Sequence, residues 1–181
     1  MAKTKGEKIS MEDLGRKSID EFKNASKIPV VVVLDDIRSL HNIGSVFRTA
    51  DAFAVERIIL CGITAQPPHR EIQKAALGAT ESVEWSYHGS CLEAINGLRI
   101  DGYKIFGVEQ VEGSINLAEI QVSNASKLAL VFGNEVKGVA QSVLDKCDDF
   151  IEIPQDGTKH SLNISVSVGV VLWEVFRKFK A

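Results

Sequence analysis

FIEIPQDGTKHSLNISVSVGVVLWEVF, residues Phe150 to Phe176, can be read in two ways that lead to different folds. An apolar, strand-like run stops at Pro154, the polar segment Gln155–His160 follows, and small and apolar residues then continue almost to the end of the chain. The interruption is either a plain surface turn or a binding loop held between two buried elements. From Ile164 to Val170 the residues alternate with period two and are rich in β-branched side chains, which favours a strand. Against that, Ser161 is a fair helix N-cap. The apolar stretch also runs on through Trp173, Val175, Phe176 and Phe179, well past ordinary strand length. A helix is therefore predicted, with Ser161, Ser165 and Gly169 stacked at i, i+4 and i+8 as a small-residue stripe.

Upstream, strands and helices alternate. Val30–Ile37 is a near-continuous aliphatic run, as expected of a strand buried on both faces. Asn42–Ala54 carries Ile43, Val46, Phe47, Ala50 and Ala54 at helical spacing. Strands are then expected at Arg57–Gly62, Val83–His88, Tyr103–Glu109, Leu128–Phe132 and Phe150–Ile153. Helices are expected at Glu71–Ala79, at Cys91–Arg99 and around Ala140, Val143, Leu144 and Cys147. This rhythm predicts an α/β protein with a mostly parallel sheet covered by helices on both faces. Residues 9–27 read as a separate amphipathic helix, so the chain divides into a basic N-terminal helical extension over 1–27 and one domain over 28–181.

Composition narrows the class. At 181 residues, 45% hydrophobic and 25% charged, the chain can bury a core like that of an ordinary globular protein. No apolar run approaches the roughly 20 residues that span a bilayer, and the start MAKTKGEKIS has no apolar signal region. No membrane partner and a cytoplasmic location are expected. Cys61, Cys91 and Cys147 are odd in number and far apart, which suits reduced packing thiols and gives no zinc spacing; no metal is expected. The net charge of −3 is uneven. Residues 1–27 hold seven Lys/Arg against five Asp/Glu, and Arg177, Lys178 and Lys180 end the chain on three more positive charges. A basic fringe on an acidic body permits phosphate contacts without requiring them.

Ligands of parallel sheets gather beyond the carboxyl ends of the strands, and three expected strand ends here carry polar, glycine-bearing loops: 38–48, 133–138 and 154–163. No G-x-G-x-x-G follows a strand, which removes a dinucleotide site or a glycine-rich methyltransferase of the Rossmann kind. GNEVKGVA has the two glycines of a phosphate loop but Val139 and Ala140 where Lys and Ser/Thr belong, so ATP hydrolysis lacks its equipment.

Three stretches, NIGSVFR (Asn42–Arg48), FGNEVKG (Phe132–Gly138) and IPQDGTKHSLNISV (Ile153–Val166), resemble the three ordered motifs of SpoU-type RNA methyltransferases, the TrmH-like branch of the SPOUT class. The resemblance covers residues 28–176. It implies a fold whose C-terminal part forms a trefoil knot, an exception to the rule that loops are not threaded. It also implies a homodimer and transfer of a methyl group from S-adenosyl-L-methionine to a ribose 2′-hydroxyl of tRNA or rRNA. The alternatives are a knotted RNA-binding module without activity, and methylation of an RNA base.

By the same resemblance, the adenosine is held by backbone groups at Gly133, Ile153 and Leu162. The residue types suit that role, since glycine lets a backbone approach closely and Ile and Leu flank a flat ring. Arg48 is the residue expected at the chemistry. On the predicted helix it shares a face with Gly44, Ser45, Thr49 and Ala52, and Gly44 is expected to leave space beside it. Because a guanidinium stays protonated, its role is read as stabilising a developing oxyanion and gripping an RNA phosphate. Asn42, Glu135 and Asn163 complete the expected catalytic set. Asn42 serves equally well as a helix N-cap. Glu135 either orients Arg48 or sits in the first turn of the next helix. Asn163 either positions a hydroxyl or satisfies backbone groups. His41, Lys159 and His160 border the site.

Overall fold

A computed structural model describes residues 6, 8–10, 13–123 and 125–181. The aliphatic run Ile28–Asp35 forms β1, buried almost throughout. After it come helix α2 (Leu40–Ala52), β2 (Val55–Cys61), two short helices α3 (Arg70–Ala76) and α4 (Ala79–Ser82), β3 (Glu84–His88), helix α5 (Cys91–Ile100) and β4 (Lys104–Val108). The chain then makes the two-residue strand β5 (Ile115–Asn116), β6 (Leu128–Phe132), a short helix α6 (Gln141–Leu144), β7 (Asp149–Glu152) and helix α7 (Ile164–Phe179).

The sheet has seven strands in the order β3-β2-β1-β6-β4-β7-β5, and every pairing is parallel. The chain builds outward from β1 to β3 and crosses back to lay β4. It then slots β6 between β1 and β4, and β7 between β4 and β5. The direction of building reverses at β1/β6, where an open parallel sheet leaves a crevice at its carboxyl edge.

Alternate residues of β1 feed two cores. Val30, Val32 and Leu34 pack with Ile43, Val46, Phe47 and Ala50 of α2 and with Val168, Val171, Leu172 and Val175 of α7. Val31 and Val33 pack on the other face with Ala94, Ile95 and Leu98 of α5 and with Cys61 and Cys91, two buried free thiols. The expected two-sided α/β sheet is therefore found.

The C-terminal segment is a helix, and its burial shows why. Ile164, Val168, Val171, Leu172 and Val175 are buried, at helical spacing, whereas Val166, Val170 and Trp173 are exposed. The apparent period of two divides its valines between a core face and an open face. Its cap differs from the expected Ser161. Asn163 caps the helix, its Oδ1 accepting from Ser165 N at 2.9 Å and Ser165 Oγ at 2.7 Å. Ser161 lies outside the helix, so the expected three-residue stripe is not formed, and a Cβ placed on Gly169 would meet nothing within 4 Å.

The N-terminal helix is also shorter than expected. Of residues 9–27, positions 11 and 12 lie outside the described residues, as do 1–5 and 7 of the extension. Among the described ones only α1, Ile19–Asn24, is helical. Ser18 and Glu21 form a reciprocal capping box that fixes its start. Gly15 is left-handed upstream (φ 58°), and Ala25 turns extended downstream. Phe22 anchors α1 to the main core. The helix expected to carry Cys147 contains only Gln141–Leu144, with Val143 and Leu144 buried as anticipated.

Candidate active site

The three strand-end loops meet. From the loop after β6, the Asn134 side chain donates to the Asp36 carbonyl after β1 at 2.7 Å. Its Oδ1 accepts from Val136 N at 3.0 Å and Lys137 N at 3.1 Å, which curls the loop on itself. The neighbouring Glu135 reaches the start of α2, where its carboxylate accepts from Arg38 N at 3.1 Å and Ser39 N at 3.0 Å. It also accepts from the Asn42 amide at 3.3 Å. Asn42 in turn accepts from the Asn163 amide at 3.2 Å. Asn163, Asn42 and Glu135, one from each expected motif, thus form a single hydrogen-bonded chain.

These contacts decide several roles. The N-cap of α2 is Ser39, whose hydroxyl accepts from Asn42 N at 3.2 Å, so Asn42 is not the cap. It sits in the first turn, 7% exposed, with its side chain committed to the network. Glu135 belongs to no helix and has no ion pair with Arg48 among the described residues. It acts instead on the free N–H groups that precede α2, where a carboxylate suits the helix dipole. Burial by itself would raise its carboxyl pKa. The N–H groups of Arg38, of Glu135 itself and of Ser39, together with the Asn42 amide, outweigh burial and hold it below the usual carboxylate value.

Beside the network an open cleft of about 610 Å³ lies against the ends of β4, β6 and β7. Gly133, Ile153 and Leu162 all line it, as do Glu135 and Asn163. Its glycine is needed for a reason other than ligand approach. A Cβ on Gly133 would fall 2.2 Å from both Gly138 C and Val139 N, so the returning strand of the loop packs directly on it. Gly138 is left-handed at φ 68°, and its own Cβ would meet Glu109 Oε2 at 2.2 Å. That oxygen accepts from Val139 N at 2.9 Å. Glu109, at the end of β4, therefore latches the loop against β6. Sequence reasoning passed over both Glu109 and Asn134. Asn134 left a signal, an Asn between a glycine and a turn; Glu109, ending an apolar run, left none.

Arg48 stands apart. It is exposed on α2, does not line the cleft, and its side chain has no hydrogen bond or ion pair among the described residues. Six residues beyond Asn42, it lies about 9 Å further along the helix axis. Gly44 does not make room beside it. A Cβ there would lie 2.4 Å from the Ile72 carbonyl oxygen, so Gly44 lets α3 close on α2. Asn42, too, lies behind the cleft rather than on its wall. Of the bordering residues, His160 lines the cleft, and His41 and Lys159 are exposed away from its lining. Among the described residues no group of His, Cys, Asp or Glu is arranged to hold a metal ion, and no helix is long and apolar enough to cross a membrane.

Comparison with known proteins bears on the family and the fold. The family model of the SpoU rRNA methylases matches residues 29–173. A Staphylococcus saprophyticus protein assigned to the TrmH family of tRNA/rRNA methyltransferases is 34% identical over 160 residues, covering 88% of this chain and 63% of the relative. The chain thus spans less than two thirds of the length of such curated relatives. Among solved structures, an AdoMet-bound rRNA methyltransferase from Sinorhizobium meliloti superposes with a TM-score of 0.77 at 27% identity, over 90% of this chain and 61% of the other. A protein solved for insight into 2-OH methylation of C/U34 on tRNA gives 0.72 at 26% identity, over 83% of this chain and 96% of its own.

Proposed function

Because this chain belongs to the SpoU rRNA methylase family, we propose that it transfers a methyl group from S-adenosyl-L-methionine to a ribose 2′-hydroxyl of tRNA or rRNA. The observation that carries this reading is the Asn163–Asn42–Glu135 chain beside a cleft floored by Gly133. It ties all three motif segments to one place at the carboxyl edge of the sheet, where such sheets bind ligands.

The cleft suits a cationic nucleoside. Phe132, Ile153, Leu162 and Ile164 give it apolar walls, and Glu109, Glu135 and Glu152 outnumber the single lysine, Lys137, along its lining. Gly133, Ile153 and Leu162 would hold the adenosine through backbone groups and apolar contact. When bound, the donor supplies a methyl carbon already activated by its sulfonium. The chain itself must fix the acceptor hydroxyl and favour its loss of a proton. Asn163 keeps one amide hydrogen beyond the bond to Asn42, available to a ribose oxygen at the cleft. Arg48, free and exposed, grips an RNA phosphate and stabilises negative charge developing near the hydroxyl. Glu135 is a positioning residue: by fixing the start of α2 it sets where Arg48 stands. Residues 1–27 serve as a basic extension to the methyltransferase domain of 28–181, whose Gln155–Ser161 segment belongs to a trefoil knot, and the protein works in the cytoplasm.

Incubation with labelled S-adenosylmethionine and bulk tRNA or rRNA, followed by digestion to nucleosides, is expected to place the label on ribose. Label on a base would make the protein a base methyltransferase, and no label would leave a binding module.

A homodimer forms through the open face of α7. Val166, Val170 and Trp173 are exposed there, and Trp173 joins Phe53 and Phe176 in an aromatic cluster with ring centroids 5.4 to 6.5 Å apart. Such a patch suits association. Light scattering at micromolar concentration is expected to give twice the 19.8 kDa chain mass; a monomer would remove this part of the proposal.

A further inference from the structure

Three carboxylates line the cleft, and their surroundings differ. The oxygens of Glu109 accept from Gln110 N at 3.1 Å and from Val139 N at 2.9 Å. Those of Glu135 accept from Arg38 N, Ser39 N and the Asn42 amide. Both groups are committed to holding the loops together. Glu152 is different: its side chain has no hydrogen bond or ion pair among the described residues, although the residue is half-buried. Its backbone is fixed, since it ends β7 and is paired with Asn116 of β5. A carboxylate at the cleft with no protein partner has its oxygens open to a cationic N–H donor bound there.

We propose that Glu152 receives the α-ammonium of the methionyl arm of S-adenosylmethionine, an assignment that rests on the donor reading above. Glu152 directly precedes Ile153, the expected adenosine contact. Successive side chains of an extended segment leave it on opposite sides, yet both residues line the cleft. The cleft therefore reaches around the end of β7. A bent donor lying there meets Ile153 at its adenosine end and Glu152 at its amino-acid end. The ammonium, rather than the sulfonium, is the group chosen because it alone offers N–H donors, and charge-assisted N–H bonds to a carboxylate are the strong ones. The sulfonium must instead face the acceptor hydroxyl.

Calorimetry on Glu152→Gln and wild-type protein with three ligands tests this. S-adenosylmethionine and S-adenosylhomocysteine both carry the ammonium; 5′-methylthioadenosine keeps the adenosine and sulfur and lacks the amino-acid arm. The variant is expected to bind the first two about tenfold more weakly than wild type, and the third within about twofold. Retained binding of the third ligand also reports that the cleft is intact. Equal loss for all three would make Glu152 structural, loss confined to S-adenosylmethionine would assign it to the sulfonium, and unchanged affinities would leave it a surface carboxylate; each overturns the proposal. Wild-type protein that binds none of the three would instead remove the donor reading itself.

Discussion

Gly133→Ala is expected to lower affinity for S-adenosylmethionine at least about a hundredfold and to cost about 2 kcal/mol of stability, as forced overpacking does. The added methyl would sit 2.2 Å from the Gly138 carbon and Val139 nitrogen and 2.3 Å from the Gly138 oxygen, all backbone atoms. Side chains can rotate away from a clash of this kind; this backbone cannot. Val139 N is tied to Glu109, and Gly138 N donates to the Asn134 carbonyl at 2.8 Å. Relief would have to push the whole 134–138 loop off the end of β6. That would drag Glu135 from the start of α2 and reshape the cleft wall. Gly157→Ala is the control. It lies in the segment after β7, and a Cβ there meets nothing within 4 Å, so its melting temperature and donor affinity should match wild type. Paired thermal melts and calorimetry check both. Normal binding by Gly133→Ala would mean that the loop yields easily and that its tight seat has no bearing on the donor.

Arg48→Ala is expected to have the opposite pattern. Turnover should fall by about a hundredfold or more, in line with loss of a charge-stabilising donor, while stability and donor affinity stay at wild-type values. The basis is what Arg48 lacks: it lines no part of the cleft and has no polar partner among the described residues, so its removal leaves no buried group unpaired. Arg48→Lys should recover only part of the activity, because an ammonium keeps the charge without the planar fork that grips a phosphate. Single-turnover assays beside donor titrations separate the two effects. Lost donor affinity in a folded Arg48→Ala protein would move this residue from the RNA side to the donor side.

The sheet was readable in the sequence because β1 and β6 are buried on both faces and so are written as unbroken aliphatic runs. Helix α7 was harder, since its valines satisfy two periods at once; the length of the apolar stretch and a cap expected at Ser161 favoured the helix, and the cap proved to be Asn163. The two-residue β5 is too short to show any period. The motif residues identified which segments converge but not how. Glu135 was expected to orient Arg48 or to begin a helix, and it caps the approach to α2. Gly44 was expected to clear space for Arg48, and it admits α3. Both outcomes depend on neighbours distant along the chain, which spacing within one element cannot reveal. The same holds for Glu109, whose latch onto Val139 exists only once β4 lies beside β6.

The placement of β6 also has a cost during synthesis. One flank of β1 can join β2 as soon as both leave the ribosome, whereas its other flank waits for Leu128, the partner of Val30. At ordinary translation rates that wait lasts roughly 5 to 20 s. Throughout it a strand destined for burial on both faces presents bare amide and carbonyl groups, the surface on which nascent chains stick to one another. Nascent protein is therefore most in need of chaperone cover over this interval, before the 133–138 and 154–163 loops have been translated.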